Sequence, residues 1–395
     1  MVSKINQIIL SILSILVILT TGFIVNYPIS IYLILPLFVF FIYLVIFKKN
    51  ICINRWIIFF FMYTLWNVYV TGVYNIPSAY KWFFPFWISF LTFVLLFNFV
   101  SIRNFLNVYI KISSIISVIA IFQVSVAFTN IEILYDYTWL GVQSRPSYIN
   151  GILRATALFS EPAHLGFFLL FPMYILIRRK EIIKNLHIVI AFLLTFSVGT
   201  YMSLIIILVG SKIISKEINI KFFYYSIFLV VTFYCVLYLN KDLSDKFYSL
   251  FVSGDDLLLG QNRSAFSVIS IIQVNFKAFL DNPIFGYGFG NSDKMFNNYF
   301  YSIYQIVDYK HGYSDENFII KILGHLGLIG IFIFMMIIFL GKNRDYIFLL
   351  FFVVISLKSG SYYNPILFMY LSLFIFSGYN NEFKIINYIN SKDLD

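Results

Sequence analysis

Two clusters of ionisable residues, far apart in the chain, have the types that phosphate binding and proton transfer require. The first is Arg145, Arg154, Glu161 and His164, in the local sequence Arg154-Ala-Thr-Ala-Leu-Phe-Ser160-Glu161-Pro162-Ala-His164-Leu-Gly166. The planar fork of an arginine suits a diphosphate or a carboxylate. The ordinary structural alternative for Arg154 is a salt bridge to Glu161. Pro162 suits the first turn of a helix and puts Ser160 or Glu161 at its cap, near the positive end of the dipole. Glu161 therefore reads either as a capping carboxylate or as a working acid. His164, one turn further in, reads as a satisfied polar contact. The second cluster is Arg263, His311, Asp315 and Glu316. A histidine titrates near neutrality and can act as a base. Asp315 and Glu316 can do the same, or cap the helix that follows.

The second cluster belongs to the only long stretch not built from apolar runs, Lys241 to Asn317. It carries nine of the chain's eighteen acids against six Lys/Arg, a net charge of −3. Within it, Asn262 is a good N-cap, and Phe266, Ile269, Ile272, Phe276 and Phe279 recur at helical spacing until Asp281-Asn282-Pro283 stops the run. Arg263 shares the opposite stripe with Ser267, Ser270 and Lys277, so the segment reads as an amphipathic helix on a membrane surface. Gly286-Tyr-Gly288-Phe-Gly290 has no strand before it and reads as a tight turn rather than a dinucleotide site. Asp255-Asp256 lacks supporting ligands at helical spacing, so no metal is implied.

The elements that must position these residues are apolar. The 395 residues are 61% hydrophobic and 12% charged, where a soluble chain has about 25% charged. Apolar runs fall near 6–25, 29–47, 55–74, 82–100, 109–130, 162–177, 183–210, 222–239, 317–340, 345–358 and 364–377. Runs of about 20 residues cross a bilayer core, and they lack the alternation of barrel strands. The reading is an all-α polytopic integral membrane protein. Cys52 and Cys235 lie in or beside apolar runs and read as lone thiols. The net charge of +10 sits mainly in links between runs, where it marks the cytoplasmic side rather than a nucleic-acid site.

That charge rule makes a specific demand. Both flanks of 183–210 are basic, with Arg178, Arg179, Lys180 and Lys184 before it and Lys212, Lys216 and Lys221 after it. A single crossing would break the rule, so the segment is expected to be two short helices hinged at Ser197-Val198-Gly199-Thr200. The count becomes about 12 transmembrane helices with both termini cytoplasmic. Residues 1–240 form helices 1–9 with a short outer loop at 131–161. Residues 241–316 form a large, partly helical periplasmic loop, and 317–395 hold helices 10–12 and a cytoplasmic tail. The helix interiors look nearly free of charge, which argues against an ion-coupled transporter.

The ordered motifs resemble a family. Arg154-x6-Glu161-Pro162-Ala-His-Leu-Gly, then Asn262-Arg263, then Asn282-Pro283-Ile-Phe-Gly286-Tyr-Gly288-Phe-Gly290-Asn291, then Leu323-Gly-His-Leu-Gly327-Leu-Ile-Gly330 are similar in order and spacing to segments of Wzy-type O-antigen and capsular polysaccharide polymerases. The resemblance implies a metal-independent, membrane-embedded glycosyltransferase of GT-C-like architecture in the bacterial inner membrane, with no cofactor. It would join undecaprenyl-diphosphate-linked oligosaccharide repeats on the periplasmic face, among membrane lipids, with a chain-length regulator protein as a further partner and no nucleic acid. Arg154, Arg263 and Arg145 would hold the donor diphosphate. His311, then Glu316, then Glu161 are the candidate bases. His311 departs from the family's His-Asn pair because Gly312 follows it. Related ligases, which transfer a finished glycan to another acceptor, share this architecture; a flippase or transporter is the third reading.

Overall fold

In a computed structural model, the described residues are 4–19, 54–72, 76–129, 131–140, 147–149, 151–216, 263–289, 291–304, 317–339, 344–358, 364–378 and 384–390. Among them the chain is mostly helical. In order the helices are α1 (Lys4–Leu19), α2 (Arg55–Gly72), α3 (Ile76–Phe99), α4 (Ile102–Ala127), α5 (Glu132–Tyr135), α6 (Pro162–Arg179), α7 (Leu186–Leu193), α8 (Val198–Ile214), α9 (Arg263–Asp281), α10 (Ser292–Tyr304), α11 (Phe318–Phe339), α12 (Tyr346–Lys358), α13 (Pro365–Ser377) and α14 (Ile385–Asn390). A two-residue-per-strand antiparallel hairpin, Tyr148–Ile149 with Ile152–Leu153, is an addition to the all-helical expectation. The expected runs 29–47 and 222–239 lie outside the described residues.

Two helices, α4 with 26 residues and α11 with 22, are long and apolar enough to cross a membrane. At 1.5 Å per residue α4 spans about 39 Å. Most of the other apolar helices are shorter. Helix starts follow local chemistry. Ser101 caps α4 by accepting from the Asn104 amide at 3.3 Å, so the helix begins seven residues before the apolar run does. Asn364 caps α13 through the Ile366 amide at 3.1 Å, ahead of Pro365. The bundle core is aromatic: Phe86 of α3 stacks on Phe318 of α11 at 6.1 Å, and Phe368 of α13 meets Phe86 edge-on at 5.2 Å.

One end of the bundle is tied by polar side chains. Gln7 of α1 accepts from Asn104 at 2.7 Å, and Tyr388 of α14 donates to Asn107 at 2.6 Å. Arg179, at the end of α6, donates to the Tyr388 carbonyl and lies over its ring at 5.1 Å. Arg344 donates to the carbonyls of Ile337 and Ile338 near the end of α11, where a cation complements the helix dipole. Asp345 accepts from Ile347 at the start of α12 and from Ile385 at the start of α14, so one carboxylate caps two helices. The C-terminal segment 384–390, expected as a tail, is therefore a docked helix.

The long run 183–210 is broken. Helix α7 ends at Leu193 and α8 starts at Val198, close to the expected hinge. Phe196 takes a positive φ of 45° and Ser197 is extended, so the chain turns on Leu194–Ser197 and Gly199 sits inside α8. Contacts at each end give the direction. His187 at the start of α7 meets Ser114 of α4 at 2.6 Å, while the Leu194 carbonyl accepts from Ala155 at 2.9 Å. Helix α8 starts with Thr200 against Gly166 of α6 and ends with Gly210 against Leu350, near the start of α12. The two helices thus climb and return, and Lys212 and Lys216 come back to the end that holds Arg179 and Arg344.

Helix α9 corrects an expectation. It packs along α11 and carries α10 on its other side. Ser270, of the expected polar stripe, is buried together with Ile271, Val274, Asn275 and Ala278, while Phe276 and Leu280 are exposed. The reason is close approach: a Cβ on Gly324 of α11 would lie 2.7 Å from Asn275 Oδ1, so the small-residue face of α9 wins the contact. A small second core, Ile271, Val274, Ala278, Met295 and Phe300, joins α9 to α10.

Candidate active site

Arg154 is placed by three neighbouring segments. Its amide donates to Ser147 across the short hairpin, and the next amide, of Ala155, donates to Leu194 in the turn between α7 and α8. Its guanidinium then reaches the same turn: Nε donates to the Thr195 carbonyl at 3.1 Å and Nη2 to the Phe196 carbonyl at 3.2 Å. The side chain is half-buried, and that burial lowers its pKa from the ordinary arginine value, partly offset by Tyr201 and Glu161. Arginine remains a cation at any physiological pH. Among the described residues, two of its five N–H donors are spent on the turn.

Gln123 of α4 supports this arrangement and was not foreseen from the sequence. It is buried. Its Oε1 accepts from the amides of Thr156 at 2.9 Å and Ala157 at 2.8 Å, and its Nε2 donates to the Tyr135 carbonyl at 2.9 Å. Ala157 needs that help, since it holds a positive φ of 48°. The available signal was a lone amide in an apolar run, since a buried polar group must find partners. Gln123→Leu orphans two buried amides at about 1–3 kcal/mol each. The expected result is a lower melting temperature in detergent together with impaired function through a displaced Arg154; a variant as stable as wild type counts against this role.

Glu161 occupies the N-cap position of α6 with extended backbone, but its side chain makes no cap hydrogen bond and is exposed. The capping reading is therefore not what the carboxylate does. The charge of Glu161 favours the cationic form of Arg154, while the guanidinium donates to the carbonyls of Thr195 and Phe196. Ser160 Oγ and His164 Nδ1 are 3.0 Å apart. Arg154 and Glu161 are thus brought to one end of the bundle, around the start of α6. Arg263 is the first residue of α9; its side chain lies outside the described residues, as do Arg145, His311, Asp315 and Glu316.

A separate joint forms between the glycine segment and α11. Helix α11 breaks at Gly327, with φ 62° and ψ −161°. Every break opens backbone groups that must be satisfied. Here the segment 282–289 supplies them. Tyr287 N donates to Gly324 O at 2.9 Å, Gly288 N to His325 O at 3.0 Å, Leu328 N to Pro283 O at 2.8 Å and Ile329 N to Ile284 O at 3.3 Å. From α2, Tyr63 Oη donates to Leu326 O at 2.8 Å and Asn67 Nδ2 to Phe285 O at 3.1 Å, while Asn67 Oδ1 accepts from Phe289 N. The expected tight turn at Gly286 is real, with φ 72°, but its role is to plug a broken helix.

One further finding revises the sequence reading. The interior of α11 is not free of ionisable groups, because Lys321 is 6% exposed and His325 is fully buried. Tyr287 and Tyr299 meet each other edge-on at 5.6 Å and help close the small core between α9 and α10. Tyr301 is exposed. Comparison of the chain with family models, curated proteins and solved structures finds no match.

Proposed function

We propose that the chain is a polytopic inner-membrane glycosyltransferase that polymerises undecaprenyl-diphosphate-linked oligosaccharide repeats on the periplasmic face, with about 12 spans and both termini cytoplasmic. The observation that carries this is Arg154. Its guanidinium is anchored on two carbonyls and sits near an exposed carboxylate that makes no cap hydrogen bond. Such a pair suits a reaction in which a diphosphate leaves with developing negative charge while a hydroxyl gives up a proton. Arg263 and Arg145 would complete the diphosphate grip, and Glu161 joins His311 and Glu316 as a candidate base.

A transporter uses broken helices differently: the freed backbone groups bind the ion or substrate. Here protein groups occupy the freed amides and carbonyls around Gly327, which favours a transferase. Purified protein in nanodiscs, supplied with lipid diphosphate-linked repeats, is expected to make longer lipid-linked chains. Transfer only to a different acceptor identifies a ligase instead. Movement of the repeat across the bilayer without new bonds overturns the transferase reading.

A further inference from the structure

We infer that Tyr201 is a positioning residue for Arg154, holding closed the turn on which the guanidinium rests; this deepens the glycosyltransferase reading above and rests on it. Tyr201 lies in the first turn of α8. Its hydroxyl donates to the carbonyl of Leu193, the last residue of α7, and its ring tilts against Phe192 at 5.4 Å. The Leu193 carbonyl takes a second bond, from the Phe196 amide at 3.1 Å. The carbonyl of that same Phe196 accepts from Arg154 Nη2 at 3.2 Å. One chain of hydrogen bonds thus runs from the Tyr201 hydroxyl, through the Leu193 carbonyl and the Phe196 residue, to the guanidinium. Hydrogen bonds linked in this way polarise one another.

Phe196 is the reason the chain matters. Its φ of 45° is a conformation that a residue with a Cβ keeps only where its surroundings over-determine it. Two side chains reach this turn from outside it. Arg154 comes from the segment before α6 and binds the Thr195 and Phe196 carbonyls. Tyr201 comes from the helix that follows and binds the Leu193 carbonyl. Thr195 and Thr200 do a different job: each donates to the carbonyl three residues back, Phe192 and Ser197, finishing α7 and starting α8. Tyr201 crosses from one helix to the other. Arg154 and Tyr201 are also electrostatic neighbours. In this role Tyr201 touches neither donor nor acceptor sugar and acts through Arg154. Without the hydroxyl the Phe196 peptide is free to turn, and the carbonyls that seat the guanidinium move with it.

The test uses the full chain in nanodiscs. Extension of a lipid diphosphate-linked repeat gives kcat and KM, and binding of polyisoprenyl diphosphate alone probes the Arg154 site. Tyr201→Phe keeps the ring on Phe192 and removes only the hydroxyl. It is expected to lower kcat/KM for the donor by about 10- to 100-fold, the cost of a displaced binding group, and to weaken the probe by about tenfold. The deciding measurement repeats the change in the Arg154→Lys chain, which keeps a cation and a measurable affinity but not the fork. There Tyr201→Phe is expected to weaken the probe no further, because two residues that act through one contact are not additive. A merely structural hydroxyl would weaken it by the same factor in both backgrounds. Equal losses in the two backgrounds, or a Tyr201→Phe enzyme with wild-type kcat/KM and probe affinity, overturn the assignment while the transferase reading stands. Failure of the wild-type chain to extend the lipid-linked repeat overturns both.

Discussion

Arg154→Ala is expected to make no long-chain glycan, with kcat reduced by about 10²–10³, the range seen when a donor to developing negative charge is removed. The loss has two sources that can be separated. The guanidinium donates to the Thr195 and Phe196 carbonyls, and losing these bonds costs about 1–3 kcal/mol of stability. That is too little to expel the protein from the membrane, so membrane fractionation should still find it. Arg154→Lys tests the remainder. A lysine restores the charge but not the planar fork, so it cannot both hold the two carbonyls and present donors to a diphosphate. It is expected to recover stability partly and activity hardly at all. A normal glycan ladder from Arg154→Ala would remove the central support for the proposed function.

The largest effect on stability is expected at the joint between the glycine segment and α11. A Cβ on Gly327 would lie 2.5 Å from both Gly286 N and Ile284 O, and a Cβ on Gly286 would collide with the His325 backbone. Both obstacles are main chain, which cannot rotate away, and both glycines hold a positive φ. Gly286→Ala or Gly327→Ala should therefore cost more than about 4 kcal/mol, the range reserved for a named structural fault. Fluorescence-detected size exclusion in detergent should show aggregated or missing protein. Gly151 provides the contrast. It too has a positive φ, of 76°, but open space around it, so Gly151→Ala should cost only the backbone strain of about 1–3 kcal/mol and leave a monodisperse peak. Equal behaviour of the three variants would show that the joint does not hold the fold.

How much of this was legible in the sequence depended on which force decided each feature. The helices at 162–179, 346–358 and 365–377 lie where the apolar runs are, because hydrophobicity alone sets them. The break in 183–210 was legible from charge: basic residues on both flanks demanded a return, and the chain returns. Its turn residues were not, because Phe196 rather than a glycine takes the positive φ. The protein-packed face of α9 was not legible because large apolar residues suit lipid and protein equally well. A small residue on the neighbour decides the approach, as Gly324 does here against Asn275. Gln123, Asn67 and Tyr63 make bonds to partners at least 12 and as many as 263 residues away, and no local pattern announces a distant partner. The Arg154–Glu161 segment stands out in the sequence by residue type alone. The anchoring of Arg154 on a helix break, and the pairing of Ser160 with His164, needed coordinates.

The plug at Gly327 also bears on how such a protein can be built and rebuilt. As it emerges during synthesis, α11 is an apolar stretch of 22 residues with every reason to enter as one straight rod. Its break is made by chain already synthesised: residues 282–289, with Tyr63 and Asn67 reaching in from a helix made far earlier. The segment 282–289 and α11 are thus completed in a single late act, and neither is a separable part. Exchanging residues 263–304 with those of another protein, a natural first move for testing the proposed function, would import a plug without its socket. A workable chimera must carry α11 and the matching turn of α2 along with the loop.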